Sequence, residues 1–541
     1  MRIAEAVLKY LKANGVDCIF GVPAGTVSPL YDSMNDVDIK PVIAKNEGGA
    51  AYMAARYACV TGRLGVCMGA GGVGANNMIN GVADAMRSKA PVIFITGYVH
   101  RWQIGKGAIQ ELDTQEILKP ITKYSKTVLD ESQVMKEVAH AVETAMTVPM
   151  GPVHLSIPID IQLTQCLEDS MPPVKESLNQ LPLDRSLLEE AVSILNQNEK
   201  GVILVGKGCR GMSSFVMELS EHLQWPVITT PEGKGVISSD FTFNLGNYGF
   251  ASTDAANDYV NSESVTGLLV LGSSLGENAT SNFSTALFQG KKSIHIDRDS
   301  KELGKVYETD VKIHADIREV IPYFLNTAKK REKIGFIRPD LNRPVDSHMK
   351  SLSLKEFLER LPAYMPKETY YVSDLGEFMN FVFKYLPIPE GGDFEINLNY
   401  AAMGSGLAGA VGVQMAYPNR PVAVIAGDGD FFMNGMEILA AKEYKLPIIF
   451  FIVNNAMLGF VEHGHQFLFG RVVNGFKQER LDISKMMETW GIASTQIKSI
   501  QDMEHIKEII KNPEGPVVIE LITDGSEPAP NGDRLKSLQK H

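Results

Sequence analysis

The stretch PVAVIAGDGDFFMNGMEILAAKEYKLPIIFFIVNN, residues 421–455, decides the fold. PVAVIA reads as a buried strand that stops at Gly427-Asp428-Gly429. NGMEILAAKEYK follows with helical spacing, Met436, Leu439, Ala440 and Tyr444 falling on one side. LPIIFFIV is a second apolar strand, closed by Asn454-Asn455. A strand–helix–strand unit of this kind has parallel strands and a right-handed crossover. Both polar signatures therefore fall at carboxyl ends of strands in one sheet, the edge where open α/β sheets bind ligands. A carboxylate on Asp428 and an amide oxygen on Asn455 suit one hard cation such as Mg2+, which takes few protein oxygens and fills its shell with phosphates and water. The glycines beside Asp428 let backbone approach a phosphate. Taken alone, GDG is a turn and NN a strand cap. Their spacing of 27 residues, filled by one helix and one strand, is what carries the signal.

Outward from this unit, the chain alternates strand-like and helix-like text in three blocks, which predicts an α/β protein of three doubly wound parallel sheets. The blocks fall at 1–165, 185–328 and 351–535, joined by the polar stretches 166–184 and 329–350. CIFGVP, KPVIAK, RLGVCMGA, PVIFITG and GPVHLSIP are strands of the first; GVILVG, PVITT, TGLLVLG and KSIHID of the second; TYYVSD, PVAVIAGDG, LPIIFFIVNN and GPVVIEL of the third. The first and third share a rhythm that suggests duplicated architecture. A chain of 541 residues is too long for a single core, which agrees with several domains.

The net charge of −12, without a basic run, argues against a nucleic-acid partner. Five scattered cysteines with no CxxC spacing indicate neither a disulfide framework nor a zinc site. The N-terminus reads as an amphipathic helix rather than a signal peptide, and no stretch is long and apolar enough to cross a bilayer. A cytoplasmic protein without membrane contact is expected.

The GDG…NN pair resembles the signature of thiamine diphosphate-dependent enzymes. That resemblance implies a fold of pyrimidine, central and diphosphate domains, with Asp428, Asn455 and the backbone carbonyl of Met457 binding Mg2+ and the ion holding the cofactor's diphosphate. Gly427, Gly429, Asp430 and Leu458 would line that site, with Gly376, Glu377 and Phe378 from SDLGEFM as its phosphate loop. Glu47, in EGGAAYMAARYA, matches the family's E-x-x-A-x-x-M-A pattern. It would keep a proton and hydrogen-bond the aminopyrimidine ring. In NYAAMGSG, Met403 would bend the cofactor and Ala401 accept from its amine. GAGGVG (69–74) imitates a dinucleotide fingerprint, but PVIFITG ends in no acid for a ribose, so a nicotinamide is not expected.

Within that family the chain is most similar to the acetolactate synthase group, through FGVPAGTVSPLYDSM, NGVADAMRSKAPVIFITG, IGKGAIQELDTQEILKPITKY and HIDRDSKELGK. The implied activity is decarboxylation of a 2-oxo acid, most simply pyruvate, and transfer of the remaining fragment to a carbonyl acceptor. Simple decarboxylases carry paired histidines near Gln110, an acid at the place of Gly25 and a glutamate at that of Val461. Their absence favours carboligation, with release of an aldehyde as the alternative. Gln110 is the candidate for substrate positioning, and His463 and His465, flanking Gly464, for the acceptor pocket. Lys123 recurs in the family's PxTK segment without an assigned role. The group departs here in having Gln-His where this chain has Glu377-Phe378, and serine in place of Asp430. Some relatives bind FAD in the central domain; none is expected here. The resemblance also implies a homodimer or homotetramer, with Glu47 of one chain facing Asp428 of its partner.

Overall fold

The computed structural model describes residues 1–166, 172–174, 181–333, 335–343, 351–511 and 513–530. The expected linkers 166–184 and 329–350 lie partly outside these residues. Three sheets of six parallel strands are present. The first holds β1 (Cys18–Gly21), β2 (Lys40–Ile43), β3 (Gly65–Gly69), β4 (Val92–Tyr98), β5 (Tyr124–Thr127) and β6 (Val153–Pro158), in the order β2-β1-β3-β4-β6-β5. The second holds β7 (Gly201–Val205), β8 (Val227–Thr229), β9 (Asn244–Asn247), β10 (Gly267–Leu271), β11 (Lys292–Asp297) and β12 (Val311–His314), ordered β12-β11-β10-β7-β8-β9. The third holds β13 (Tyr370–Ser373), β14 (Asp393–Glu395), β15 (Val422–Gly427), β16 (Ile448–Asn454), β17 (Ala493–Ile497) and β18 (Val517–Ile522), ordered β14-β13-β15-β16-β18-β17. The first and third orders are the same when each is counted from its own first strand. Their central strands are continuous apolar runs because helices cover both faces.

Register places the site. Gly427 of β15 lies opposite Val453 of β16, so Asp428 and Asn454-Asn455 leave the sheet at one edge. In the first sheet Gly21 of β1 pairs with Ile43 of β2 and Met68 of β3, which brings the turns leading to Glu47 and into GAGGVG to a common edge.

The first and third blocks meet through the Glu47–Thr61 and Ser405–Ala416 helices, both buried almost all round. Small residues permit the approach: a carbon added to Gly412 would lie 2.0 Å from the Met53 carbonyl oxygen. Arg56, only 1% exposed, donates to Asp84 at 3.0 Å, and Asn397 donates to the same carboxylate at 2.8 Å. Glu395 pairs with Arg210 of the second block and lies 3.9 Å from Arg56. All three blocks thus share one buried charge cluster. Burial opposes the charge on Arg56, but Asp84, with Cys59 and Glu395, holds its pKa above the ordinary value.

The helix after GDG differs from the sequence expectation. It begins at Asp428 itself, runs to Asn434, breaks at Gly435, and resumes as Glu437–Glu443. The break turns Met436 outward, while Ala440 is buried and Leu439 and Tyr444 are partly buried as expected, joined by Glu437, Ile438 and Ala441. At the break, Gly435 lies against the Phe431 ring and carbonyl, where a side chain would clash.

Candidate active site

At the edge of the third sheet, Asp428 is nearly buried and its carboxylate is fixed by backbone. Gly429 N donates to Oδ1 at 2.9 Å and Ala456 N to Oδ2 at 2.8 Å. Burial raises the Asp428 pKa, and those two amides pull it back. Met457 N donates to Asn455 Oδ1 at 3.1 Å. Ala456 between them has φ 54°, a left-handed conformation that costs energy and is kept where the surroundings demand it. A carboxylate and an amide oxygen joined through one turn form a donor set suited to a hard cation with phosphate ligands, so the residues fit the group expected there.

Met403 and Leu458 lie over Gly429: a carbon added to that glycine would be 2.9 Å from Met403 Cε and 3.8 Å from Leu458 Cδ2. The Met403 loop includes Ala401 at φ 58° and is pinned by Asp374, which accepts from Gly404 N at 2.9 Å and Leu407 N at 2.8 Å. Burial lifts the Asp374 pKa to about 6 against those bonds. Asp430 faces it, accepts from Gly427 N at 2.7 Å, and is likewise raised by burial and then by Asp374. Asp430 therefore ties the GDG turn to itself rather than reaching outward as a serine could.

The phosphate loop changes character too. The Phe378 ring packs against Gly376 and Gly427 and joins the buried core of the third block, so what this residue can offer an anion is backbone. Glu377 is buried and its Oε1 lies 2.7 Å from His463 Nδ1. That bond raises the His463 pKa, and a charged imidazole neutralises a carboxylate that would repel a diphosphate. His465, two residues on, lies roughly 200° around the helix and stacks edge-on with Phe469 and Phe476 at 5.1 and 4.9 Å. The two histidines therefore have different neighbours, Glu377 for His463 and aromatic rings for His465.

At the edge of the first sheet, Glu47 opens its helix behind Asn46, whose side chain accepts from Gly48 N at 2.8 Å. Glu47 Oε2 accepts from Asn77 Nδ2 at 2.9 Å. The GAGGVG loop is its seat: carbons added to Gly69 and Gly74 would lie 3.2 Å from Glu47 Cγ and 3.1 Å from Oε1. Gln110, exposed and at φ 66°, covers the same loop, its carbonyl oxygen 2.6 Å from a carbon placed on Gly72. The dinucleotide-like pattern is thus explained by Glu47 and Gln110. Lys123 is structural, donating to the carbonyls of Thr144, Thr147 and Pro149.

Three residues that bear on the site carried no motif signal: Asp374, Asn77 and Glu437. Glu437 stands in the opening stretch but reads there as an ordinary helix acid. Between the first and second blocks, a crevice of about 390 Å³ opens where strand order in the second sheet reverses between β7 and β10, with Lys89 of the first block bridging Asp299 at 2.6 Å and Glu302 at 2.9 Å. Among the described residues no helix is long and apolar enough to cross a membrane.

Comparison with known proteins agrees with this arrangement. Three family profiles match: "Thiamine pyrophosphate enzyme, N-terminal TPP binding domain" over residues 1–117, the central domain over 188–324, and the C-terminal TPP binding domain over 374–521. The chain is 30% identical to a probable acetolactate synthase large subunit of Methanocaldococcus jannaschii, covering 99% of this chain and 95% of that protein. It is 30% identical to the acetolactate synthase isozyme 2 large subunit of Escherichia coli K12, covering 97% and 96%. Among solved structures, a thiamine diphosphate-dependent 4-hydroxybenzoylformate decarboxylase of Rhodococcus jostii RHA1 shares the fold, with a TM-score of 0.87 at 20% identity over 98% of this chain and all of that one. With both halves of the site in place and relatives matching end to end, the chain belongs to the thiamine diphosphate-dependent enzymes, in their acetolactate synthase-like group.

Proposed function

We propose that this enzyme decarboxylates a 2-oxo acid, pyruvate in the simplest case, and joins the remaining fragment to a second carbonyl compound. When bound, thiamine diphosphate supplies the electron sink for decarboxylation. Asp428, Asn455 and the Met457 carbonyl would hold Mg2+, Met403 would support the cofactor's bend, and Glu47 would hydrogen-bond its aminopyrimidine ring. Gln110 orients the substrate at the mouth of the Glu47 half.

The observation that carries carboligation is the composition of the product end. Gly25 and Val461 stand where aldehyde-forming decarboxylases resembling this chain carry acids, and a carbon added to Gly25 would touch nothing within 4 Å. Neither position itself offers an acid, which leaves room for an acceptor. The second reading, aldehyde release, draws on His463: its bond to Glu377 raises its pKa, and its protonated form would be a proton donor two residues from Val461.

The working unit we propose is at least a homodimer. Within one chain Glu47 bonds Asn77 while Asp428 bonds Gly429 and Ala456, and each half is bordered by exposed apolar side chains. Val73 and Ile109 border the Glu47 half; Phe432 and Met433 project from the helix that Asp428 opens. A second copy would cover both surfaces.

Purified enzyme given pyruvate, Mg2+, thiamine diphosphate and a panel of carbonyl acceptors should release carbon dioxide and a coupled product detectable by mass spectrometry. Aldehyde equal to the carbon dioxide, without coupled product, would establish the decarboxylase reading. No turnover of any 2-oxo acid would refute both.

A further inference from the structure

Glu437 links the two halves of the site along one chain. It lies nine residues beyond Asp428 and is 1% exposed. Its carboxylate points not at its own block but at the turn before Glu47. Lys45 N donates to Oε2 at 3.0 Å and Oε1 at 3.2 Å, and Asn46 N donates to Oε1 at 3.0 Å. The seat is tailored: a carbon on Gly49 would lie 2.2 Å from Glu437 Oε1, so only glycine lets the carboxylate reach the first turn of the Glu47–Thr61 helix. The rest of that turn is also held from the third block. Tyr444 Oη accepts from Ile43 N at 2.7 Å, and Lys45 Nζ pairs with Glu443 at 2.6 Å.

We infer that Glu437 is a positioning residue: by holding the amides of Lys45 and Asn46 it sets where Glu47 is presented to the cofactor ring. The inference rests on the assignment of Glu47 given above. It makes the segment that leaves the cation site of a chain the support for the acid the same chain presents. Nothing else in the turn replaces it, because Asn46 spends its own side chain on Gly48. Burial, opposed by the bonds from Lys45 and Asn46, lifts the Glu437 pKa to about 7.

The test uses the full-length protein with four variants. Glu437→Ala removes the hold, Glu437→Gln keeps one accepting oxygen, Tyr444→Phe removes a neighbouring contact one step earlier, and Glu47→Gln is the reference. Two quantities are read: amide hydrogen exchange of residues 44–49 in the cofactor-free protein, and deuterium exchange at the thiazolium C2 of bound thiamine diphosphate. A displacement of the acid by about 1 Å slows such chemistry by roughly 10- to 100-fold. Glu437→Ala should therefore exchange amides faster and slow C2 exchange by that factor. Glu437→Gln should fall between it and wild type, and Tyr444→Phe, which frees only Ile43, four residues before Glu47, should slow C2 exchange less than either. If the alanine variant does not fold, the comparison of Gln with Phe decides. Loosened amides with C2 exchange at the wild-type rate, while Glu47→Gln abolishes it, would overturn this inference alone. Wild-type C2 exchange in Glu47→Gln would overturn the functional assignment and this inference with it.

Discussion

Asp428 and Ala456 are joined by a 2.8 Å hydrogen bond from the Ala456 amide to the Asp428 carboxylate, which ties the end of β15 to the turn after β16. The two motif halves are thus a single object before any ion arrives. Asp428→Ala would remove a cation ligand and orphan the amide of a residue already at positive φ. Truncating one partner of a buried charged contact costs roughly 2–5 kcal/mol, so affinity for Mg2+ and thiamine diphosphate should fall at least about 30-fold. Calorimetric titration of the cofactor-free protein checks this.

The Glu377–His463 pair makes stability depend on pH. The folded state raises the His463 pKa above its ordinary value near 6.5 through the bond to Glu377. A raised pKa means that the contribution is fully present below about 6.5 and disappears as pH climbs through the raised value. Glu377→Gln should remove this dependence. Melting temperatures of wild type and variant, measured from pH 6 to 9, should differ most at the acid end and converge at the alkaline end.

The buried cluster of Arg56, Asp84 and Glu395 should be sensitive to loss of one partner. Asp84→Ala leaves a guanidinium at 1% exposure without its 3.0 Å partner and with Glu395 no nearer than 3.9 Å, a loss of about 3–5 kcal/mol. Gly412→Ala should harm the same junction by sterics, its new carbon meeting the Met53 carbonyl oxygen at 2.0 Å. Denaturant unfolding would show both midpoints falling, whereas Tyr444→Phe should stay within about 1.5 kcal/mol of wild type.

Legibility in the sequence followed burial. All strands inside the sheets, CIFG, GVCMG and IIFFIVN among them, could be read as apolar runs. The five that escaped, β5, β9, β12, β14 and β17, are all edge strands, and YSKT, DFE and ASTQI carry no continuous apolar text because one flank faces solvent or another block. Asp428, Asn455 and Glu47 were legible because sheet topology fixes where strand ends meet. Pairings made by docking of distant segments were not. Neither Glu377 with His463 nor Glu437 with Lys45 and Asn46 leaves a local pattern, and nothing in SDLGEFM marks that the Phe378 ring packs on Gly376 and Gly427.

The central claim is that Glu47 of one chain and Asp428 of another act on one thiamine diphosphate, and complementation tests it most directly. Glu47→Gln and Asp428→Asn, each inactive alone, are co-expressed with different tags and the mixed oligomer is isolated. If sites lie between two chains related by a twofold axis, each mixed dimer has one site with both native residues, and about half of wild-type activity should return. Mixed oligomers as inactive as their parents, or full activity in either variant alone, would contradict the account.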